Sequence, residues 1–198
     1  MEGLSGFILA AIALAGSPGP NTLSLTAASA AFGPRRVLGY FTGLLAGMVL
    51  VMAIVATGLV GLVLAIPGVS PVVVGAAALY FVYLAWQIAM APPLGDTAGQ
   101  GHPPTFVAGV MLSMVNPKGY AAMAALFSSF VLVRDSLAID ALSKTAVLVI
   151  VIAAVNLAWM LAGAVLSRFF RDPRTNRIVN VTFAILLLVS VALAVRAA

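Results

Sequence analysis

Two short proline motifs hold the polar groups whose types and spacing suit the binding of a small ion. The first motif is Ser17-Pro18-Gly19-Pro20-Asn21 and the second is Asn116-Pro117-Lys118. Proline lacks a backbone N–H and suits the first position of a helix, and asparagine suits the N-cap that precedes it. The second motif therefore predicts a helix that begins at Pro117. In the first motif, Gly19 or Ser17 before a proline predicts a similar start.

The amino end of a helix attracts anions because it carries a partial positive charge and N–H groups without partners. Lys118 adds a full positive charge beside one of these ends. Together the two motifs predict an anion trap, and a carboxylate fits it well. The alternative is a pair of structural proline kinks, with Lys118 reaching the interface or binding carbonyl groups freed by Pro117.

Asn156 and Trp159 form a third polar feature, because residues three apart share one face of a helix. Such an amide and indole bind a polar ligand or, as usual in membranes, bond a neighbouring helix. Both interpretations stay open. His102 lies in a polar stretch and is interpreted as a solvated loop residue.

The elements that position these groups must cross a lipid bilayer. The chain has 198 residues, of which 63% are hydrophobic and 8% charged, whereas soluble domains carry about 25% charged residues. It contains no cysteine, so a disulfide framework or a thiolate site is excluded. The net charge of +5 lies in short loops and indicates membrane topology rather than nucleic-acid binding.

Six apolar runs are long enough to be spans of about 20 residues. They cover residues 4–31, 37–66, 72–90, 105–133, 145–166 and 178–195. The stretch 92–104 reads as a polar linker, 134–144 as a charged loop and 168–177 as a basic loop. Lys118 is then the one ionisable side chain deep inside a predicted span, a position that is costly in lipid and usually functional.

The linker divides the chain into two halves, a first three-helix repeat at 1–91 and a second at 105–198. Because each half has an odd number of spans, the halves must be inverted relative to one another. Each proline motif lies about a dozen residues into its span, near mid-membrane, and matched breaks of this kind point to a transport site. The predicted fold is an all-α membrane protein of six transmembrane helices, arranged as two inverted-topology repeats with helices 1 and 4 broken by proline.

Basic residues predict how this bundle lies in the membrane. Six of them fall in the first, third and fifth loops and three on the opposite side, so both termini are expected outside. Gly39, Gly43 and Gly47 form consecutive GxxxG steps, which permit close packing against a helix of the same chain or of a second copy in a homodimer.

The sequence also resembles the LysE/RhtB family of amino-acid exporters. Four groups of residues carry the resemblance, namely the 16–21 run, Gly33 to Gly43 with Arg35 and Arg36, the 75–87 stretch, and Asn116-Pro117-Lys118. It implies efflux of small amino acids or related metabolites across a bacterial cytoplasmic membrane, driven by the proton gradient. It also implies substrate binding by Pro18, Gly19, Pro20, Asn21, Asn116 and Lys118. No acidic residue lies in a predicted span, so the usual carrier of a coupled proton is missing.

Three other functions would place different demands on the sequence. A divalent-metal exporter or ion channel would need carboxylate, histidine or cysteine ligands, and Lys118 would repel cations. A membrane enzyme would need a nucleophile–base or carboxylate pair in a site, so no enzyme activity, cofactor or metal is predicted. A structural or assembly protein would not depend on Lys118.

Overall fold

The computed structural model describes residues 2–58, 102–166 and 173–197, together with residues 68, 72, 75, 79, 82, 83, 85, 86, 89 and 90. The labelled helices are α1 Glu2–Gly16, α2 Pro20–Phe32, α3 Leu38–Ala56, α4 Phe106–Met114, α5 Pro117–Ser129, α6 Leu137–Leu166 and α7 Pro173–Ala197. Helix and connecting turns account for the described residues, and no strand occurs among them.

Two of these helices, α3 and the stretch Leu137–Val165 of α6, are long and apolar enough to cross a membrane, and α1 with α2 forms a third, bent candidate. They correspond to the first, second and fifth predicted spans. Most of the third predicted span and most of the linker lie outside the described residues. The count of six spans in two inverted repeats therefore stays a prediction.

Both predicted proline breaks are confirmed. Helix α1 ends at Gly16, and α2 restarts at Pro20 with Gly19 as its N-cap and a bend of 58°. Helix α4 ends at Met114, and α5 restarts at Pro117 with Asn116 as its N-cap. The sequence allowed either Ser17 or Gly19 as the N-cap at the first break, and the structure shows Gly19 in that position. The Ser17 hydroxyl instead donates a hydrogen bond to the Leu14 carbonyl of α1.

The prediction of a charged loop over residues 134–144 is wrong beyond residue 136. Helix α6 begins at Leu137, and the Ser136 hydroxyl accepts a hydrogen bond from the backbone N–H of Ile139 at 3.4 Å. Asp140 and Lys144, four residues apart on this helix, form a buried ion pair at 2.6 Å. An acid and a second lysine thus belong to a helix that is a candidate span, whereas the predicted fifth span, 145–166, contains neither. A serine N-cap with an acid in the first turn was the signal for this earlier start.

The basic loop predicted at 168–177 is also shorter than expected. Helix α7 begins at Pro173, so Arg174 and Arg177 lie in its first turns. The Arg177 guanidinium donates a hydrogen bond to the Ala89 carbonyl at 3.1 Å. Arg168 and Arg171 lie outside the described residues.

The described helices pack around two apolar clusters. One joins α1, α3, α5 and α6 through residues such as Phe7, Met52 and Leu126. The other joins α2, α3, α4 and α6 through residues such as Leu25, Leu44 and Met160. Helices α1 and α5 pack in the first cluster, and α2 and α4 pack in the second. Each break therefore separates a helix of one cluster from a helix of the other.

The glycine motif of α3 packs within the chain. A Cβ atom at Gly43 would overlap the backbone of Phe106, and one at Gly47 would lie 2.8 Å from the Val110 carbonyl oxygen, both in α4. Gly39 is exposed and has nothing within 4 Å of the corresponding position. Two of the three glycines therefore serve an intrachain interface, and the homodimer stays a prediction.

Candidate functional site

A cavity of about 50 Å³ lies where the two helix breaks meet. Such a volume has room for a few water molecules. Its lining comes from α1, α2, α3, α5 and α6, and the polar or charged members are Asn21, Thr22, Asn116, Lys118 and Asn156. The rest is apolar or glycine, including Leu14, Met48, Met123 and Ile152. The cavity is therefore mostly apolar, with a few polar groups that converge on it.

A chain of hydrogen bonds connects the two breaks. The Asn116 amide nitrogen donates to Asn21 Oδ1 at 3.0 Å, and the Asn21 amide nitrogen donates to Ser113 Oγ at 2.9 Å. Ser113 in turn donates to the Leu44 carbonyl at 3.0 Å. Because the Leu44 carbonyl can only accept, each group in this series of hydrogen bonds must donate in the direction of Leu44. This fixes which way the oxygen and nitrogen of both amides point.

The amino ends of α2 and α5 both face this cavity. In α2 the Thr22 hydroxyl accepts a hydrogen bond from the Gly19 N–H at 3.0 Å. In α5 the Asn116 side chain accepts from the Gly119 N–H at 3.4 Å. These caps use the Gly19 and Gly119 N–H groups. The two helix ends bring the positive ends of two helix dipoles to one place.

The Lys118 ammonium is bound to the opposite break. It donates to the Ser17 carbonyl at 2.5 Å and to the Pro18 carbonyl at 3.3 Å. These carbonyls follow the end of α1, where the helix dipole is negative. Lys118 therefore does bind backbone carbonyls, as the alternative interpretation of the sequence predicted. These carbonyls lie in the first motif, however, and are not the ones freed by Pro117.

Gly19 gives Lys118 the space for this contact. A Cβ atom at Gly19 would lie 2.8 Å from Lys118 Cδ and 2.9 Å from Nζ. A lysine has three N–H donors, and the two carbonyls use two of them. The lysine also lines the cavity, and the two carbonyls leave one of its three donors without a bond among the described residues.

Asn156 and Trp159 have different contacts in the structure. The Trp159 indole donates to the Gly16 carbonyl at 3.2 Å, so it bonds a neighbouring helix and is not among the cavity-lining residues. Asn156 lines the cavity with 2% of its surface exposed. Its side-chain nitrogen has no hydrogen-bond partner among the described residues. A buried donor without a partner is costly, and it is the group most ready to bind a ligand or a water molecule.

The structure brings five of the ten predicted site residues into the cavity lining, namely Gly19, Asn21, Asn116, Lys118 and Asn156. Ser17 and Pro18 lie beside it and supply the carbonyls that hold Lys118. Pro20 and Pro117 are the first residues of the two restarted helices.

Sequence reasoning missed Ser113, which is fully buried and holds Asn21 in place. Its position three residues before Asn116, within an apolar run, was the available signal. Thr22 and Met48, which also line the cavity, carried no such signal.

Lys118 is the one ionisable side chain among the cavity-lining residues. Across the described part of the chain, no group of three or more His, Cys, Asp or Glu residues is placed to hold a metal ion. The site therefore offers positive charge and hydrogen-bond donors to a ligand rather than the oxygen ligands that hard cations prefer.

An apolar helical chain in which two helix breaks and a few polar groups meet at one cavity has the features of a membrane transport protein. The sequence matches the family described as LysE type translocator over residues 12–197. The chain belongs to this family, so the resemblance noted from its motifs is confirmed, and the protein is an integral membrane protein.

Relatives of known name match almost the whole chain. A protein named cysteine/O-acetylserine efflux protein from Escherichia coli O139:H28 (strain E24377A / ETEC) is 29% identical over 185 residues, which cover 93% of each chain. Proteins of the same name from Escherichia coli (strain K12) and Shigella flexneri are 29% identical over 184 residues, again covering 93% of each chain. No solved structure matches this chain.

Proposed function

We propose that this protein exports small amino acids, or related carboxylate metabolites, across the bacterial cytoplasmic membrane. The substrate carboxylate binds near mid-membrane between the amino ends of α2 and α5, with Lys118 as its charged partner. The observation that carries the proposal is the convergence of both helix breaks and Lys118 on one cavity. The relatives are named as efflux proteins for cysteine and O-acetylserine, and these names support the direction and the substrate class.

Lys118 exchanges partners in this proposal. Without substrate, its ammonium is held by the Ser17 and Pro18 carbonyls. The bonds to these carbonyls are charge-assisted by the ammonium alone, whereas a carboxylate in the cavity is itself charged and adds direct attraction between opposite charges. The substrate thereby draws Lys118 from the first break and loosens the contact between the two broken helices, which favours movement of one half against the other.

The proposed site includes all ten residues named from the sequence. Gly19, Asn21, Asn116, Lys118 and Asn156 would contact the substrate, since they line the cavity. Ser17, Pro18, Pro20 and Pro117 would shape the two breaks. Trp159 would hold the end of α1 through its bond to Gly16.

The proposed architecture is a first repeat at 1–91, a linker at 92–104 and a second repeat at 105–198. The matched breaks support it, because each has a proline at the first position of the restarted helix. Rocking of one repeat against the other would give alternating access to the cavity. Both termini would face outward, in keeping with the excess of arginine in the odd-numbered loops.

The test is efflux of a panel of labelled amino acids from proteoliposomes that contain the purified protein. We expect at least one small amino acid to leave faster than from protein-free vesicles, and Lys118→Met to abolish that excess. Arg134→Met, which removes an exposed cation away from the cavity, is the matched control and should transport like the wild type. Export that survives Lys118→Met would reject the charge argument, and a panel without any exported amino acid would reject the substrate class.

A non-transport role and metal export are the alternatives. A membrane assembly protein predicts no efflux of any solute from these vesicles. If the protein exports a divalent metal, transport should rise when Lys118 is replaced by a neutral residue. The reason is that the positive charge of Lys118 repels a cation.

A further inference from the structure

The two apolar clusters divide the described bundle into two ends, with the cavity between them. Helices α2 and α4 pack in one cluster and α1 and α5 in the other, so we call these the α2/α4 end and the α1/α5 end. Helices α3 and α6 contribute to both clusters. In the proposed architecture α1, α2 and α3 belong to the first repeat, and α4, α5 and α6 belong to the second. The contacts between repeats at each end therefore determine which end can open.

At the α2/α4 end, α3 and α4 touch backbone to backbone. A Cβ atom at Gly43 would overlap the Phe106 carbonyl, and one at Gly109 would lie 2.5 Å from the Tyr40 carbonyl oxygen. This approach therefore needs glycine on both helices. Opening this contact requires the two helix backbones to move apart.

Helices α2 and α6 meet as closely at the same end. A Cβ atom at Gly163 would overlap the Thr26 carbonyl. The fully buried Ser29 hydroxyl donates a hydrogen bond to the Met160 carbonyl at 2.7 Å. The two repeats are therefore locked together at the α2/α4 end by close backbone packing and by a buried hydrogen bond.

The α1/α5 end is closed by side chains. The Phe7 and Phe130 rings meet edge to face, with 5.5 Å between their centroids and 71° between their planes. A Cβ atom at Gly6 would lie 3.6 Å from the Phe130 ring, which is an ordinary contact. Contacts between side chains can be exchanged by a rotamer change or a small tilt of one helix, whereas interlocked backbones cannot.

The cavity extends from the helix breaks towards the α1/α5 end. Its lining includes Leu14 and Ala15 of α1, and it reaches Ala122 and Met123 in the second turn of α5. From α2 it includes first-turn residues as far as Thr22, and no described residue of α4 is among the lining residues. The cavity is therefore nearer to the end that side chains close.

Phe7 and Phe130 lie at similar distances beyond this cavity. Phe7 precedes the lining residue Leu14 by seven positions in α1, and Phe130 follows the lining residue Met123 by seven positions at the end of α5. Seven helical residues make two turns, so the rings meet about 10 Å from the cavity along the helices. They lie between the cavity and the α1/α5 end of the bundle.

We propose that Phe7 and Phe130 are the gate of the cavity at the α1/α5 end, and that this structure is the state locked at the α2/α4 end. Rocking of the repeats parts the two rings, and the α2/α4 end opens in the opposite state. With both termini outward, the gate faces outside and is the exit for an exported amino acid. This inference rests on the proposed function and assigns its alternating states to particular residues.

Phe130 is the fixed side of this gate. Lys144 of α6 donates to the Phe127 carbonyl, and Asp140 of α6 accepts from the backbone N–H of Leu132. Phe130 lies between these two anchors along the chain, so its backbone is held to α6. Helix α1 therefore carries the mobile side of the gate.

The first test measures how fast a reagent reaches the cavity. The chain contains no cysteine, so Ala15→Cys places a single thiol in the cavity lining of α1. A membrane-impermeant methanethiosulfonate is applied to intact cells and, separately, to inverted membrane vesicles. Phe130→Ala is then added to this variant. Phe41→Ala is the matched control, because Phe41 is also partly buried but packs at the α2/α4 end.

We expect Phe130→Ala to speed labelling about two- to tenfold, the shift that loss of one aromatic pair would give. The increase should occur on the membrane face that carries the amino terminus, because α1 begins there. Phe41→Ala should leave the rate on that face unchanged. If Phe130→Ala gives no monodisperse peak in size-exclusion chromatography, Phe130→Leu replaces it, since leucine keeps apolar bulk but removes the aromatic contact.

The second test closes the gate in proteoliposomes loaded with a labelled amino acid that the wild type exports. Phe7→Cys with Phe130→Cys is treated with a short bifunctional methanethiosulfonate, whose cross-link is removed by reduction. Efflux should stop on cross-linking and return after reduction. Ser24→Cys with Tyr40→Cys is the matched pair, because these two hydroxyls bond to each other within the first repeat. Its cross-link should leave efflux unchanged.

Three results would overturn the gate. They are equal labelling rates with Phe130→Ala and Phe41→Ala, faster labelling with Phe41→Ala, and efflux that continues after Phe7→Cys and Phe130→Cys are cross-linked. A wild type that exports no amino acid would instead reject the proposed function. Labelling does not depend on export, so a rate that rises with Phe130→Ala alone would still place the opening at the α1/α5 end.

Discussion

Asn116 and Asn21 bond to each other directly, with 3.0 Å between the amide nitrogen of the first and the amide oxygen of the second. Each amide lies at the start of a restarted helix, and both are more than 90% buried. The two breaks are thus one polar unit, in which each asparagine satisfies part of the other's hydrogen-bonding capacity. Removing either side chain leaves a buried amide group of the other unpaired.

The first prediction concerns the coupling between these two residues. Asn21→Ala and Asn116→Ala should each lower the stability of the detergent-solubilised protein, and the double variant should lose less than the sum of the two. We expect a coupling free energy of about 1 kcal/mol, in the range found for hydrogen bonds between membrane helices. Unfolding titrations with a denaturing detergent measure it.

Ser128 provides the control for this cycle. It is exposed and its hydroxyl bonds the Ala125 carbonyl of its own helix. Ser128→Ala should therefore combine additively with Asn21→Ala. Strict additivity of the two asparagine variants would contradict a direct bond between them.

The second prediction moves the Lys118 ammonium without removing it. In Gly19→Ala the new methyl group would overlap the outer part of the Lys118 side chain. Because a lysine chain is flexible and the extended backbone of Gly19 suits any residue, the protein should fold with a melting temperature within a few degrees of the wild type. Export should fall at least tenfold, since the ammonium is displaced from the break.

Gly16→Ala is the matched variant for this test. It lies three residues earlier, and nothing lies within 4 Å of its added methyl group. Export by Gly16→Ala should match the wild type in the same vesicles. Full export by Gly19→Ala would mean that the position of Lys118 at the first break is irrelevant to transport.

The helix breaks could be predicted from the sequence because their causes are local. Proline removes a donor and asparagine caps the next turn wherever the surrounding chain is helical, so Asn116-Pro117 determines its own geometry. The convergence of the two breaks was predicted from their similar depth in two spans that were expected to run in opposite directions. These arguments need no knowledge of packing.

Other features of the site depend on contacts far apart in the sequence. The carbonyls that hold Lys118 lie 101 and 100 positions away, and the bond between Ser113 and Asn21 spans 92 positions. Neither periodicity nor composition indicates which distant group completes such a bond. The different roles of Asn156 and Trp159 have the same origin. Both lie on one face of α6, but Trp159 meets the end of α1 and Asn156 meets the cavity.

The third prediction tests the contact between α3 and α4. Gly43→Ala should strongly destabilise the protein, because its methyl group would overlap the backbone of Phe106. A helix backbone, unlike the end of a flexible side chain, cannot shift to relieve this overlap. Gly39→Ala, four residues earlier on the same helix, has nothing within 4 Å and should be neutral. Thermal unfolding of both variants in detergent provides the comparison, and equal melting temperatures would be incompatible with this close packing.

The fourth prediction concerns the buried pair of Asp140 and Lys144 in the first turns of α6. Asp140 accepts hydrogen bonds from the backbone N–H groups of Leu132 and Val133, at 2.6 and 2.9 Å, and Lys144 donates to the Phe127 carbonyl near the end of α5 at 3.0 Å. The pair therefore fastens the end of α5 and the following turn to α6. Lys144→Met leaves a buried carboxylate without its cation, and we expect a loss of about 3–5 kcal/mol.

Replacing both partners should restore much of that stability. In Asp140→Asn with Lys144→Met no charge is left unpaired, and the asparagine oxygen still accepts from the backbone of Leu132 and Val133. Buried ion pairs replaced by neutral groups of similar size are often as stable as the original, so the double variant should be more stable than Lys144→Met alone. Chemical unfolding of the detergent-solubilised variants measures both stabilities. A double variant that is less stable than Lys144→Met would mean that the pair acts by more than charge neutralisation, because both variants keep the bonds to Leu132 and Val133 and both lose the bond to Phe127.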